Sequence, residues 1–178
     1  MNPIIRFVVA VLSASLASRI GIDEVTNVRM RVFLNDLDLN FHMTNARYLA
    51  LCDIAGVEFV IRLGLGRLML KRGLRPLIGG RLIRHRFGVR PFERFTVRTR
   101  VLCWDDKWFY FEQQVKTNRG IAAIVLTKGL VRDPDLAQTV RPDELLKSLG
   151  EMHVHSSITP EVLRWLAAEE MLGVQDDC

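Results

Sequence analysis

A chain of 178 residues that is 49% hydrophobic and 25% charged can bury a full core in one domain, and its composition excludes disorder over most of its length. The net charge of +5 is modest, and three scattered cysteines (Cys52, Cys103, Cys178) exclude a disulfide framework and offer no Cys/His cluster for a metal. Neither a linker, a repeat nor a nucleic-acid module is apparent, and the cysteine usage fits a reducing, cytoplasmic setting.

Residues 1–22 form an apolar N-terminal segment, with Phe7 to Ala17 lying between Arg6 and Ser18-Arg19. A crossing helix needs about 20 apolar residues, so this run is too short to span a membrane. Its charge and small residues resemble a signal peptide, but the expected structure is a helix packed on the domain or lying on a membrane surface.

The main domain is expected over 23–135. Val28, Met30, Val32 and Leu34 alternate with Arg29, Arg31 and Phe33, the period of a half-buried strand. Asn35 to Asn40 is a polar loop, after which Thr44 or Asn45 can cap a helix. In that helix Leu49, Cys52, Gly56, Phe59, Val60 and Leu63 repeat at spacings of three and four and make the packing face. Gly64, Gly66, Gly73 and Pro76 interrupt the helical pattern. Leu77 to Val89 reads as a strand with Gly79, Gly80 and Gly88 as bend or bulge points. Two more strands follow on either side of the Trp104-Asp105-Asp106-Lys107 turn, and Asn118-Arg119-Gly120 turns the chain into a strand from Ile121 to Val131. In 136–178, Pro142 and Gly150 bracket a short helix, and Thr159-Pro160-Glu161 opens a last one with Val162, Leu163, Leu166 and Ala167 on its apolar side. One long helix wrapped by a single antiparallel sheet is an α+β architecture. It leaves a sheet face partly uncovered, so pairing of two chains is expected.

The chemistry-bearing segment is Asp36 to Tyr48, which sets two carboxylates, a carboxamide and an imidazole just ahead of a helix N-terminus. Helix starts present unpaired N–H groups that can hold an oxyanion, and a neighbouring carboxylate can attack a carbonyl or deprotonate water. Such a set suits acyl transfer without a serine or a metal. The plainer alternative is a loop whose Asp and Asn bond to nearby backbone, with His42 a capping or packed histidine.

The run Asp38-Leu39-Asn40-Phe41-His42-Met43-Thr44-Asn45-Ala46-Arg47-Tyr48 resembles the D-x-N-x-H-V-N-N-x-x-Y motif of hotdog-fold acyl thioesterases, the 4-hydroxybenzoyl-CoA thioesterase-like superfamily. Arg84-His85-Arg86, Val97 to Arg100, Trp104-Asp105-Asp106 and Phe109-Tyr110 make it most similar to the thioesterase superfamily member 6 type, over about Asn35 to Leu130. Thr44 replaces the first asparagine of the N-N pair, and Asn40-Phe41 stands where many relatives carry a glycine.

The resemblance implies a hotdog fold and hydrolysis of an acyl thioester, acyl-CoA or similar. Asp38 would act as nucleophile or general base, with Asn40 and His42 orienting water or substrate. No metal or redox cofactor is implied. The assembly would be a homodimer or homotetramer, with the acyl chain between the long helix and the partner chain, lined by residues such as Phe59. Glu58 is a fallback carboxylate whose simpler reading is a polar residue on the solvent side of the helix. The rival function is a non-catalytic acyl-thioester or lipid-binding hotdog protein.

Other charged groups have simpler readings. Arg81, Arg84, Arg86, Arg90, Arg94, Arg98 and Arg100 read mostly as solvated strand faces, with a phosphate patch for a nucleotide-bearing substrate as the sharper alternative. Asp105 and Asp106 belong to a turn, and His153 and His155 read as surface residues.

Overall fold

The stripe between Thr44 and Leu63 folds as one helix, α2 (Asn45–Leu63), around which the rest of the chain is arranged. The structure is a computed structural model that describes residues 3–151 and 157–171. Thr44 caps α2 by accepting the Arg47 N–H at 3.3 Å, and Gly64 ends it in the left-handed conformation at φ +91°, where a side chain would be strained. The other helices are α1 (Pro3–Leu16), α3 (Leu65–Arg72), α4 (Pro142–Ser148) and α5 (Pro160–Met171).

Among the described residues six strands form one antiparallel sheet. They are β1 (Thr26–Arg31), β2 (Arg75–His85), β3 (Arg94–Trp104), β4 (Phe109–Thr117), β5 (Gly120–Asp133) and β6 (Gln138–Val140). Their spatial order is β1-β3-β4-β5-β2, with β6 paired to the far end of β5. Alternate side chains of the central strands face α2: Phe95 and Val97 from β3, Val115 from β4 and Val125 from β5 pack on Tyr48, Leu51, Cys52 and Ala55. Burying each large apolar side chain contributes about 1.5–3 kcal/mol, which outweighs the helix cost of Gly56. The buried Gln113 is satisfied within this layer, its amide donating to the Cys52 carbonyl at 2.7 Å. A second cluster joins Phe59 and Leu63 to Leu65, Met69, Trp104 and Leu145. On the outer sheet face α5 sets Val162 and Trp165 against Cys103, Tyr110 and Leu126.

The α+β architecture is as the sequence reading expects, and the departures have local causes. Strand β1 stops at Arg31 because Leu34–Asp36 closes a single 3-10 turn, which leaves Leu34 exposed. Gly64 and Gly73 are helix ends, but Gly66 breaks nothing: Leu65 and Met69, one turn apart, are both buried and hold α3 between those glycines. Strand β2 spans Arg75–His85, bulged between Ile78 and Gly80 as its glycines suggest, whereas Gly88 and Val89 lie in the loop beyond it. In α5 the inward residues are Val162 and Trp165, and Leu163 is exposed. His153, His155 and Cys178 lie outside the described residues.

Candidate active site

Asp36, Asp38, Asn40 and His42 all lie on the crossing from the 3-10 turn to α2, but the two aspartates have opposite environments. Asp36 is 0% exposed. Its Oδ2 accepts from the Phe33 N–H at 2.9 Å and from Arg6 of α1, and its Oδ1 lies 3.4 Å from Arg47 Nε in the first turn of α2. The Asp36 carbonyl accepts the N–H of the capping residue Thr44 at 2.9 Å. Asp36 therefore ties α1, the 3-10 turn and the start of α2 together.

Asp38 is exposed. A bridge between Leu37 and Met43 closes the base of its loop, and the Asp38 N–H donates to the His42 carbonyl at 2.9 Å. Within the loop Asp38 Oδ1 accepts the N–H groups of Asn40 (2.8 Å) and His42 (3.1 Å). Phe41 completes the turn at φ +56°. Asp38 thus shapes its own loop, as the plainer reading holds, while among the described residues no protein donor meets its Oδ2. The side chains of Asn40 and His42 are brought to the same loop and exposed, and among the described residues they make no hydrogen bond.

Past the loop, the Thr44 cap takes the Arg47 N–H, and no acceptor among the described residues meets the N–H groups of Asn45 and Ala46. Those two donors, at the positive end of a 19-residue helix, are suited to hold developing negative charge. The loop after β2 supports the site from beneath. Met43 donates to the Val89 carbonyl at 3.0 Å, and Val89 donates to the Tyr48 hydroxyl at 3.1 Å. Burial pushes the Tyr48 phenol above its ordinary range, which keeps it a neutral partner in this contact. The His42 side chain lies against Gly88, where a Cβ would come within 2.5 Å of His42 Cδ2.

This arrangement has clear relatives. Residues 32–166 match the thioesterase-like superfamily. The chain belongs to that superfamily. Protein THEM6 of Xenopus laevis is 36% identical over 138 residues, covering 76% of this chain and 64% of the relative, so the chain spans just under two thirds of that protein. Among solved structures, the YbaW probable thioesterase of Escherichia coli superposes with a TM-score of 0.65 at 17% identity, over 70% of this chain and 96% of the other. SAV2348 of Staphylococcus aureus, solved in complex with CoA, gives a TM-score of 0.60 at 16% identity, over 82% and 96%. The fold is the hotdog fold of these thioesterase-like proteins.

The remaining candidates fall elsewhere in the hotdog domain. Glu58 is buried, contrary to the solvent-side expectation, because α1 packs over it. Its Oε1 meets Arg62 at 3.2 Å, and among the described residues Oε2 has no partner. It lies about 20 Å along α2 from Asn45 at 1.5 Å per residue, too far to share chemistry with Asp38. Phe59 is fully buried against Phe111 in the core, so it lines no open path in this chain. Arg81 is bound to Asp53, and Arg100 to Glu112 at 2.9 Å, so neither is a free phosphate ligand. Asp105 has the turn role expected of it, accepting the N–H groups of Lys107 and Trp108 and the Tyr110 hydroxyl. The buried pair Arg6–Asp36 and the seat at Gly88 carry no sequence signal of their own. Only the nearness of Gly88 to the Arg84-His85-Arg86 motif points there.

Proposed function

We propose that the protein hydrolyses an acyl thioester, acyl-CoA in the first instance, to a free acid and a thiol. The observation that carries this reading is the Asp38 loop, bonded at its base to the cap of α2 beside the open N–H groups of Asn45 and Ala46. A carboxylate fixed by its own turn can attack the thioester carbonyl or take a proton from water, while the two N–H groups hold the oxyanion. Asn40 and His42 orient water or substrate. Coenzyme A is preferred as carrier because a fold neighbour was captured with it.

The site is completed by a second copy of the chain. Among the described residues strand β2 is an unpaired sheet edge that exposes Leu77, Ile78 and Leu82, and the active-site loop exposes Leu39 and Phe41. A homodimer joined edge to edge covers these groups. At the opposite edge α1 turns Ile5, Val8, Leu12 and Leu16 outward, a stripe suited to peripheral contact with a membrane surface. No helix among the described residues is long and apolar enough to cross one.

The test is a panel of acyl-CoA substrates with thiol detection, wild type beside Asp38→Asn. Burial pushes the Cys52 thiol up to about 12, so the folded protein adds little background from that group. Turnover should fall about 10²-fold in the variant with folding unchanged. Undiminished turnover would remove Asp38 from the chemistry. Tight acyl-CoA binding without hydrolysis of any substrate would favour the non-catalytic binding reading.

A further inference from the structure

The outer face of the sheet is divided. Helix α5 covers the part carrying Cys103, Tyr110 and Leu126, and the part toward β1 is open. There the strand register sets Arg29, Thr96 and Lys116 in one row across β1, β3 and β4, with Arg31 beside Arg94 in the next row. Arg98, two residues beyond Thr96, continues the same face. The groove holding most of these cations has a volume of about 820 Å³. Among the described residues none of the five cations meets a carboxylate, although Arg100 on the same strand does. Five like charges on one sheet face repel one another, so the face favours an anionic occupant.

The position of the groove narrows the choice of occupant. The cavity between α1 and β1 is lined by Val9, Ala10 and Ser13 on one side and by Arg29, Met30 and Arg31 on the other, and the same three β1 residues line the groove. The cationic face and α1 therefore border the same edge strand. On α1, Arg6, Ala10 and Ala14 point inward, and Ile5, Val8, Leu12 and Leu16 point away from the domain, Leu16 at 89% exposure. An edge-to-edge dimer through β2 leaves this side uncovered, because β1 and β2 are the two ends of the sheet.

We propose that the Arg29/Arg31/Arg94/Arg98/Lys116 face is a docking surface for the phosphates of an anionic phospholipid bilayer, on which α1 lies with its apolar stripe in the headgroup–acyl boundary. Cations near such a surface act additively, each strengthening binding by about fivefold, while the stripe binds whatever the headgroup charge. The inference rests on the membrane contact assigned to α1 and not on thioester hydrolysis, and the experiment separates the two parts.

The protein is sedimented with phosphatidylcholine vesicles, with and without phosphatidylserine, at low and high salt. Wild type should prefer the anionic vesicles by about 10³-fold, five cations at about fivefold each, and lose most of that preference in high salt. The triple variant Arg29→Gln/Arg94→Gln/Lys116→Gln should cut that preference by about 10²-fold and keep its binding to neutral vesicles. The double variant Leu12→Ser/Leu16→Ser should weaken binding to both. Circular dichroism and thermal unfolding confirm folding, and the salt dependence of the unaltered protein supplies a readout that needs no variant. An equal affinity for both vesicles overturns the proposal, as does a preference that the triple variant leaves undiminished. Displacement by free coenzyme A or inorganic phosphate at constant ionic strength would show a soluble-phosphate site and overturn it too. If only the α1 variant matters, the α1 contact stands without the headgroup site; if only the charge variant matters, the reverse holds.

Discussion

The buried pair between Arg6 and Asp36 makes a demanding prediction, because it claims that the N-terminal helix is part of the active-site frame. Arg6 is 5% exposed and Asp36 is 0% exposed, with Arg6 Nη2 and Asp36 Oδ2 2.5 Å apart. Removing one member of a buried ion pair costs about 3–5 kcal/mol, because the other is left charged and poorly solvated. Arg6→Met keeps the stem, and Asp36 retains the Phe33 N–H and Arg47 at 3.4 Å, so the low end of that range, about 3 kcal/mol, is expected. Asp36→Asn strands the guanidinium with the Arg31 carbonyl at 3.2 Å and the Phe33 ring at 5.2 Å, which points to the upper part of the range. The double variant should cost less than the sum of the singles, with a coupling of about 1–3 kcal/mol. Against a typical domain stability of about 5–15 kcal/mol these losses are large. Urea unfolding followed by tryptophan fluorescence, with the slope held common to all four proteins, measures them. A cost for Arg6→Met below about 0.5 kcal/mol would refute the reasoning, since α1 would then not be seated on the domain in solution.

Three further outcomes follow from the same geometry. Light scattering at micromolar concentration should give twice or four times the 20.4 kDa chain mass, and Ile78→Glu/Leu82→Glu on the β2 edge should give monomer; a monomeric wild type would remove the shared site. Gly88→Ala places a Cβ where the His42 ring lies, so turnover should drop about 10- to 100-fold while stability changes by about 1 kcal/mol or less. Unchanged turnover would mean that His42 needs no fixed position. Glu93 joins the same loop to Arg119, which also donates to the Gly88 carbonyl at 2.9 Å. Burial pushes the Glu93 carboxyl up, but hydrogen bonds from Arg119 and the Arg90 N–H outweigh it and hold the group below its ordinary 4.5. A lowered folded-state pKa gives stability that is full above the unfolded value and lost as pH falls through the folded one. The melting-temperature gap between wild type and Glu93→Gln should therefore be open near pH 7 and close below about pH 4.5; a gap constant down to about pH 3 would contradict the assignment.

How much of this was legible in the sequence depends on how local each cause is. The period of three and four from Leu49 to Leu63 and the alternation in β3 report burial on one face, so α2 and the central strands could be read directly. Helix α3 could not, because Gly64, Gly66 and Gly73 look like breakers until Leu65 and Met69 are seen to be buried. Glu58 reads as a solvent-side residue on any helical wheel of α2 alone, and it becomes buried only because a separate helix lies across it.

The sharpest case is Asp36 and Asp38. Spacing makes them equivalent loop carboxylates, and the family resemblance alone singled out the second. The structure separates them by partner: Asp36 finds a guanidinium 30 residues away in α1, and among the described residues Asp38 bonds only to the backbone of its own loop. A carboxylate whose charge is already neutralised in the interior is a poor base or nucleophile, and one held at the surface with an oxygen to spare can act as either. On the proposed mechanism, the burial of the first aspartate is what leaves the second for the chemistry. Removing Asp36 should damage the loop before it damages the reaction.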